Sequence, residues 1–288
     1  MKTAIGLALA VLLLGILATT RIGVFIVFDV LGDIVDQSDD LVLSAAAGPL
    51  QVTESRKAID VLDLPPDLQQ PSGIHISDSA VYLLTDQAEL YSLSHQGQTE
   101  FQVDLLGGPL LLKQGSLESV VVWGREVLVV GELGHVSTWS LDDGAIVKKE
   151  PRQLLPPYDS LEYTGLMMFG GSLVAVDDDS TAIHDLTHGK SFELDFTAVV
   201  KPDMNPSDLL FSGIAADSSR IYIVTENFTS ILVVSPNGWK VERVIDIDDV
   251  EASDIAVYQG HVFVTVDHNY FDEPSPVLVY DGIAATLY

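Results

Sequence analysis

Five oxygen-bearing residues, Ser72, Glu118, Thr164, Ser212 and Ser253, recur at one position of a repeated pattern, and five acids, Asp86, Glu132, Asp177, Glu226 and Asp267, recur at a second. Side-chain oxygens of this kind bind hard cations. Calcium takes six to eight of them at about 2.3–2.6 Å, usually with more than one carboxylate. On this reading Glu118, Asp177, Glu226 and Asp267 are the candidate metal ligands, and Ser72, Thr164, Ser212 and Ser253 are the hydroxyls offered to a polar ligand. The competing reading is structural. A carboxylate ending a strand accepts hydrogen bonds from the backbone of the next tight turn, and hydroxyls in a channel are satisfied by water.

Both columns have meaning only if the fold repeats. Five segments share one template: PSGIHISDSAVYLLTD from Pro71, LESVVVWGREVLVVGE from Leu117, YTGLMMFGGSLVAVD from Tyr163, FSGIAADSSRIYIVTE from Phe211 and ASDIAVYQGHVFVTVD from Ala252. Anchored on Gly73, Ser119, Gly165, Gly213 and Asp254, they are spaced by 46, 46, 48 and 41 residues. Each reads as a short apolar strand, a turn, a strand ending in an acid, and one or two further strands. Short strands at a period of roughly 40–50 residues are the signature of a β-propeller with one four-stranded blade per repeat.

The expected fold is therefore all-β, a five-bladed propeller. The last repeat ends after its third strand, Val277 to Asp281, and the missing outer strand has a donor in Arg56 to Leu64 (RKAIDVLDL). Pairing the two closes the ring and leaves no open edge in the last blade. In such a ring the first strands line the axis. The start of each first strand shares a face with the end of each second strand, so both oxygen columns meet at one channel mouth. The second strand lies ~4.7 Å farther out, so five outer acids do not all reach one ion. The insertion between Asp267 and Val277, with His268, Tyr270, Phe271, Asp272 and Glu273, falls on that face and reads either as a binding lip or as an ordinary surface loop.

Ahead of the repeats, Ala4 to Thr20 carries no charge, Arg21 interrupts, and Ile22 to Phe28 continues the apolar run. Ala4 to Phe28 as a helix spans the ~30 Å hydrocarbon core with some tilt. This predicts three regions: a membrane anchor or signal helix over 1–28, an acidic tether over 29–51, and the propeller over 52–288. A cleaved secretory signal is the alternative, but Ala18 and Thr20 make a poor cleavage site before Arg21. A propeller on the outer, extracytoplasmic side of the membrane follows from an internal amino terminus.

The formal charge of −28 argues against nucleic acid and against lying flat on an anionic leaflet. Zero Cys removes disulfides and any lipid anchor on sulfur. Gly170-Gly171-Ser172 only grazes a nucleophile elbow and falls in a hairpin. Gly189-Lys190-Ser191 has His184 where a phosphate-binding loop needs glycine.

The recurring S-G-I or E-S-V starts, the strands ending in Asp or Glu, the stretch FSGIAADSSRIYIVTENFTSILVV from Phe211 and the amino-terminal apolar segment together resemble the SdiA-regulated, YjiK-like family of bacterial envelope proteins, with some likeness to NHL repeats. The resemblance covers roughly Ile59 to Asp281. It implies a five-bladed propeller, attachment to the bacterial cell membrane, a calcium site, and no established catalytic activity; with the amino-terminal segment read as above, the expectation is a single pass with the propeller periplasmic. Family members tend to carry Glu-Gly before the hydrophobic pair; here only Glu118 keeps the acid, and Ser119 follows it. The functional expectation is a non-enzymatic binding module taking a cation and a small-molecule or peptide ligand. The alternative is a metal-dependent hydrolase of the lactonase or esterase kind, which needs several acids, Asn or His converging on the axis.

Overall fold

The computed structural model describes residues 49–62, 64–65, 68, 70–105, 117–131, 134, 136–142, 145–148, 162–178, 180–201, 205–248, 250–266 and 275–284. The expected anchor at 1–28, all of the tether before Pro49, the acids Glu132 and Asp267 and most of the lip lie outside them.

Twenty-one strands run through the described residues. Two belong to an amino-terminal strap, β1 (Glu54–Ser55) and β2 (Asp60–Leu62). Blade 1 holds β3 (Pro71–Ile76), β4 (Val81–Thr85), β5 (Glu89–Leu93) and β6 (Thr99–Asp104). Blade 2 holds β7 (Leu117–Trp123), β8 (Glu126–Gly131), β9 (Val136–Asp142) and β10 (Ala145–Lys148). Blade 3 holds β11 (Tyr163–Phe169), β12 (Ser172–Asp177), β13 (Ala182–Asp185) and β14 (Lys190–Glu193). Blade 4 holds β15 (Phe211–Ala216), β16 (Ile221–Thr225), β17 (Ser230–Ser235) and β18 (Lys240–Asp246). Blade 5 holds β19 (Ala252–Tyr258), β20 (His261–Val266) and β21 (Val277–Tyr280).

The first strand of each blade packs against the first strands of two neighbours, and β19 returns to β3, so the ring is closed. Closure in sequence is by β2. It pairs antiparallel with β21 in the register Asp60 with Val279, Val61 with Leu278 and Leu62 with Val277. The fourth strand of the last blade is thus supplied by the chain's other end, as the sequence predicts.

Every inner strand is buried on both faces, which is why these strands read as continuous apolar runs. In β16, Ile221 and Ile223 face the cluster shared with blade 3, while Tyr222 and Val224 face the cluster shared with blade 5. Similar clusters join blade 5 to blade 1 and blade 2 to blade 3. Each fully buried Val, Leu or Ile is worth about 1.5–3 kcal/mol, and here that burial comes from the neighbouring blade.

The strap does more than close blade 5. Leu50 bridges Val200 and is buried, and Gln51 N donates to Val199 O at 2.6 Å. β1 then adds in parallel to β18, with Glu54 opposite Ile245 and Ser55 opposite Asp246, making blade 4 five-stranded. Thr53 and Val244 exchange hydrogen bonds, Arg56 N donates to Asp246 O, and Lys57 pairs with Asp248 at 2.8 Å. One short segment therefore binds blade 4 and completes blade 5.

Candidate functional site

In all five blades the ladder between first and second strands slips at the same place: between Pro71 and Gly73, Leu117 and Ser119, Tyr163 and Gly165, Phe211 and Gly213, and Ala252 and Asp254. The extra residue at each bulge is Ser72, Glu118, Thr164, Ser212 or Ser253, the whole inner column. A bulge re-aims its side chain. Here it turns the hydroxyl sideways to the next blade rather than into the axis.

Ser72 Oγ donates to Leu117 O at 2.5 Å, Thr164 Oγ1 to Phe211 O at 2.5 Å, and Ser253 Oγ to Pro71 O at 3.0 Å. In each case the acceptor is the carbonyl two residues before the next anchor. Three hydroxyls expected to meet a ligand are instead inter-blade staples. The pattern fails at two places. Glu118 replaces the hydroxyl with an acid, which as a carboxylate has no proton to give a carbonyl. Ser212 Oγ is buried without a hydrogen-bond partner.

The side chains that do occupy the axis belong to the anchors. Asp254 is 1% exposed, its Oδ2 accepts from Ile74 N at 3.0 Å and from Ser119 Oγ at 2.9 Å, and its Oδ1 accepts from Ile255 N at 2.8 Å. Ser119 Oγ in turn accepts from Leu166 N at 3.1 Å. Blades 1, 2, 3 and 5 are joined through these two residues, and Gly213 of blade 4 stands beside Asp254. Burial pushes the Asp254 carboxyl well above the usual carboxylate range, with the nearby Glu118 charge adding to the rise and the three donors opposing it.

The other three anchors are glycine because the backbones crowd. A Cβ at Gly165 would stand 2.8 Å from Gly213 Cα, and one at Gly213 would stand 2.5 Å from Asp254 Oδ1. The axis at this level is filled by backbone, the Asp254 carboxyl and the Ser119 hydroxyl. In the sequence these five positions mark the repeat, and the signal they carry is an acid in a column otherwise made of Gly and Ser.

The outer acids separate into two positions. Gly73, Ser119, Gly213 and Asp254 pair with Leu84, Val130, Val224 and Thr265, and the acid follows two residues later; Gly165 pairs with Val176, so Asp177 follows by only one. The blade 3 counterpart of Asp86 and Glu226 is thus Asp178. A slip of one residue sends a side chain to the opposite face. Asp177 is fully buried, with Oδ2 2.5 Å from His184 Nε2 and accepting from Ser180 Oγ at 2.8 Å. His184 Nδ1 lies 2.9 Å from Ser191 Oγ. Asp177 thereby secures the β12–β13 turn. Thr225 does the same for the next blade, accepting from Ser230 N and donating to Ser230 O.

At the rim, Asp86 N and Glu226 N donate to Gln70 O and Leu210 O, tying the turn after each second strand to the start of the first. The connection into blade 4 is fixed to the same turn, since Asn227 accepts from Leu210 N and donates to Asp208 O at 2.6 Å. Among the described residues no three Asp, Glu or His are gathered closely enough to hold a metal ion. Glu118, Asp177 and Glu226 do not form such a group, and the register slip sets Asp177 apart from the other outer acids. Asp267 is outside the described residues.

No family model matches the chain, and no curated protein matches it. Among solved structures it is similar to the glutaminyl cyclase of Myxococcus xanthus, at 18% identity over 79% of this chain and 99% of that one, with a TM-score of 0.55. It is also similar to a glucose dehydrogenase, at 11% identity over 78% of this chain and 100% of that one, TM-score 0.50. A third likeness is to regucalcin from Agrobacterium tumefaciens, described as a calcium-binding protein, at 10% identity over 82% and 99% of the two chains, TM-score 0.51. At these identities the likeness shows the propeller fold.

Proposed function

We propose that this chain is a non-enzymatic binding module that takes a polar ligand, with calcium as the candidate cation, at the channel mouth where its first strands begin. The observation that carries the reading is the break in the staple pattern. Three bulge residues hold blades together, while Glu118 and Ser212 keep an acid and an unpartnered hydroxyl beside a closed axis. Asp86, Asp178 and Glu226 add carboxylates at the rim of the same face. The calcium-binding regucalcin shares the architecture, which makes the cation a reasonable first probe.

A hydrolase with a central metal is less well supported by the residues. Its ligands would converge on the axis, and there Asp254 and Ser119 are already committed to four hydrogen bonds.

In the same reading Ala4 to Phe28 anchors the propeller to the bacterial cell membrane with the mouth outside, in keeping with the SdiA-regulated, YjiK-like resemblance. Membranes washed in alkaline carbonate retain the protein on this proposal; release into the wash overturns the anchor.

The mouth is tested by thermal unfolding against calcium. A ligand bound only by the folded state raises stability by RT ln(1 + [L]/Kd). A rising midpoint that Glu118→Gln abolishes supports the site. No change at millimolar calcium, or a change that Glu118→Gln leaves intact, removes calcium from it.

A further inference from the structure

At the far end of blade 4 from the mouth, where β16 starts, a cleft of about 310 Å³ lies between blades 4 and 5. Val233, Ile283, Ala284 and the ring of Tyr222 form an apolar floor, and Arg220 and Arg243 stand at its wall together with Ser219 and the carboxylate Glu242. Gly282 lines it too, with φ of +70°. A Cβ placed there would be 3.7 Å from the Arg56 guanidinium, so glycine leaves a third arginine face open beside the cleft. The chain has six arginines in all, and three of them converge here.

Their partners account for only part of that charge. Glu54 is shared: Oε1 accepts from Arg243 Nε at 2.6 Å, and Oε2 from Arg56 Nη2 at 2.8 Å. Arg220 Nε pairs with Glu242 at 2.9 Å, its Nη1 donates to Ser219 O at 3.0 Å, and Nη2 is not engaged by these contacts. Arg243 Nη1 donates to Ile283 O at 3.3 Å, on the wall of the cleft. Asp217, the next acid, is turned into its own loop and accepts from Ser219 N, Arg220 N and Tyr222 Oη. Three guanidiniums thus face two salt-bridged carboxylates in a chain that is otherwise strongly acidic.

A cavity near 300 Å³ with an apolar floor and a few convergent polar groups is the usual form of a small-ligand site. A guanidinium fork selects planar anions, carboxylate above all. We propose that this cleft binds a small apolar carboxylate, with the acyl or aromatic body on Val233, Ile283 and Tyr222 and the carboxylate on Arg220 and Arg243. The site is separate from the mouth and stands whether or not calcium binds there.

The test is calorimetric titration of the intact chain with benzoate and, in parallel, with neutral benzamide. Saturable 1:1 binding of benzoate, with benzamide at least about tenfold weaker, is the expected result, since a charge-assisted hydrogen bond is worth that much or more. Arg220→Gln weakens benzoate by a similar factor. Its partners are the exposed Glu242 of β18 and the Ser219 carbonyl of the turn before β16, neither in the core, so the variant folds; Arg243→Gln, which also loosens the strap, serves as a second check read with its unfolding midpoint. Absence of saturable benzoate binding, equal binding of benzamide, or unchanged affinity in Arg220→Gln would each overturn the proposal. Calcium at the mouth leaves these results unchanged, which keeps the two sites distinguishable.

Discussion

Asp254 of the last blade and Ser119 of the second meet across the axis at 2.9 Å, and through them the backbones of blades 1, 3 and 5 gain acceptors. Asp254→Ala leaves Ile74 N, Ile255 N and the Ser119 hydroxyl without their acceptor. Each unmet buried donor costs about 1–3 kcal/mol, and water recovers some of it, so a loss of about 3–5 kcal/mol is expected. The urea midpoint measures it. A loss under about 1 kcal/mol would mean that the axis is held by packing alone.

The glycine anchors predict a different failure. Gly213→Ala places a methyl 2.7 Å from Asp254 Cα and 2.9 Å from Ile255 N, neither of which is a flexible group. Overpacking of this kind costs about 1–3 kcal/mol or more. Alanine at Gly171, in a hairpin turn where a Cβ meets nothing within 4 Å, is strained only by its φ of +85° and costs about 1 kcal/mol. Comparing the two thermal midpoints separates crowding from backbone conformation.

The period, the blade count and the pairing of the chain's two ends were all legible, because they rest on apolar runs and turn residues that repeat. Side-chain direction at the mouth was not. A bulge leaves the sequence spacing intact while rotating Ser72, Thr164 and Ser253 toward the next blade, and Asp177 looks like its counterparts until its pairing with Tyr163 shows a register one residue short. β1 was invisible for another reason. At two residues it carries no period, and its place is set by Thr53, Glu54 and Ser55 reaching side chains and backbone nearly two hundred positions away.

The strap is expected to be indispensable while what precedes it is not. A chain starting at Gly48 retains β1 and β2 and should unfold cooperatively at the full-length midpoint. One starting at Leu64 exposes the edges of β18 and β21 and should aggregate or melt far lower. Equal midpoints for the two would show that blade 5 closes without β2.

Within the strap, Glu54 holds Arg243 and Arg56 together. Burial pushes its carboxyl up, but the hydrogen bonds and charges of the two arginines prevail and hold it below the usual range. Its contribution is therefore present above about pH 4.5 and fades as the pH falls through the lowered value. Glu54→Gln should cost about 1–2 kcal/mol at neutral pH, a modest figure because the pair is partly exposed. The gap to the unaltered chain should close in acid; a constant gap would mean a loss of packing, not of charge.

His75 gives the clearest pH signal at higher values. It sits in β3 beside Tyr82, with ring centroids 6.2 Å apart, and burial holds its imidazole down to about 4 against an ordinary 6.5. The folded chain thus favours the neutral ring. The associated stability is complete above pH 6.5 and is lost as the pH falls toward 4, amounting to as much as about 3 kcal/mol at ~1.4 kcal/mol per unit. Asp254 has the opposite sign, since its raised carboxyl contributes most below the unfolded value near 3.8 and less as the pH rises. His75→Phe keeps an aromatic ring next to Tyr82 and removes the titration, so urea midpoints of this variant should change far less between pH 6.5 and 4 than those of the unaltered chain. Parallel curves for the two would show that the imidazole reaches water and that its burial carries no penalty.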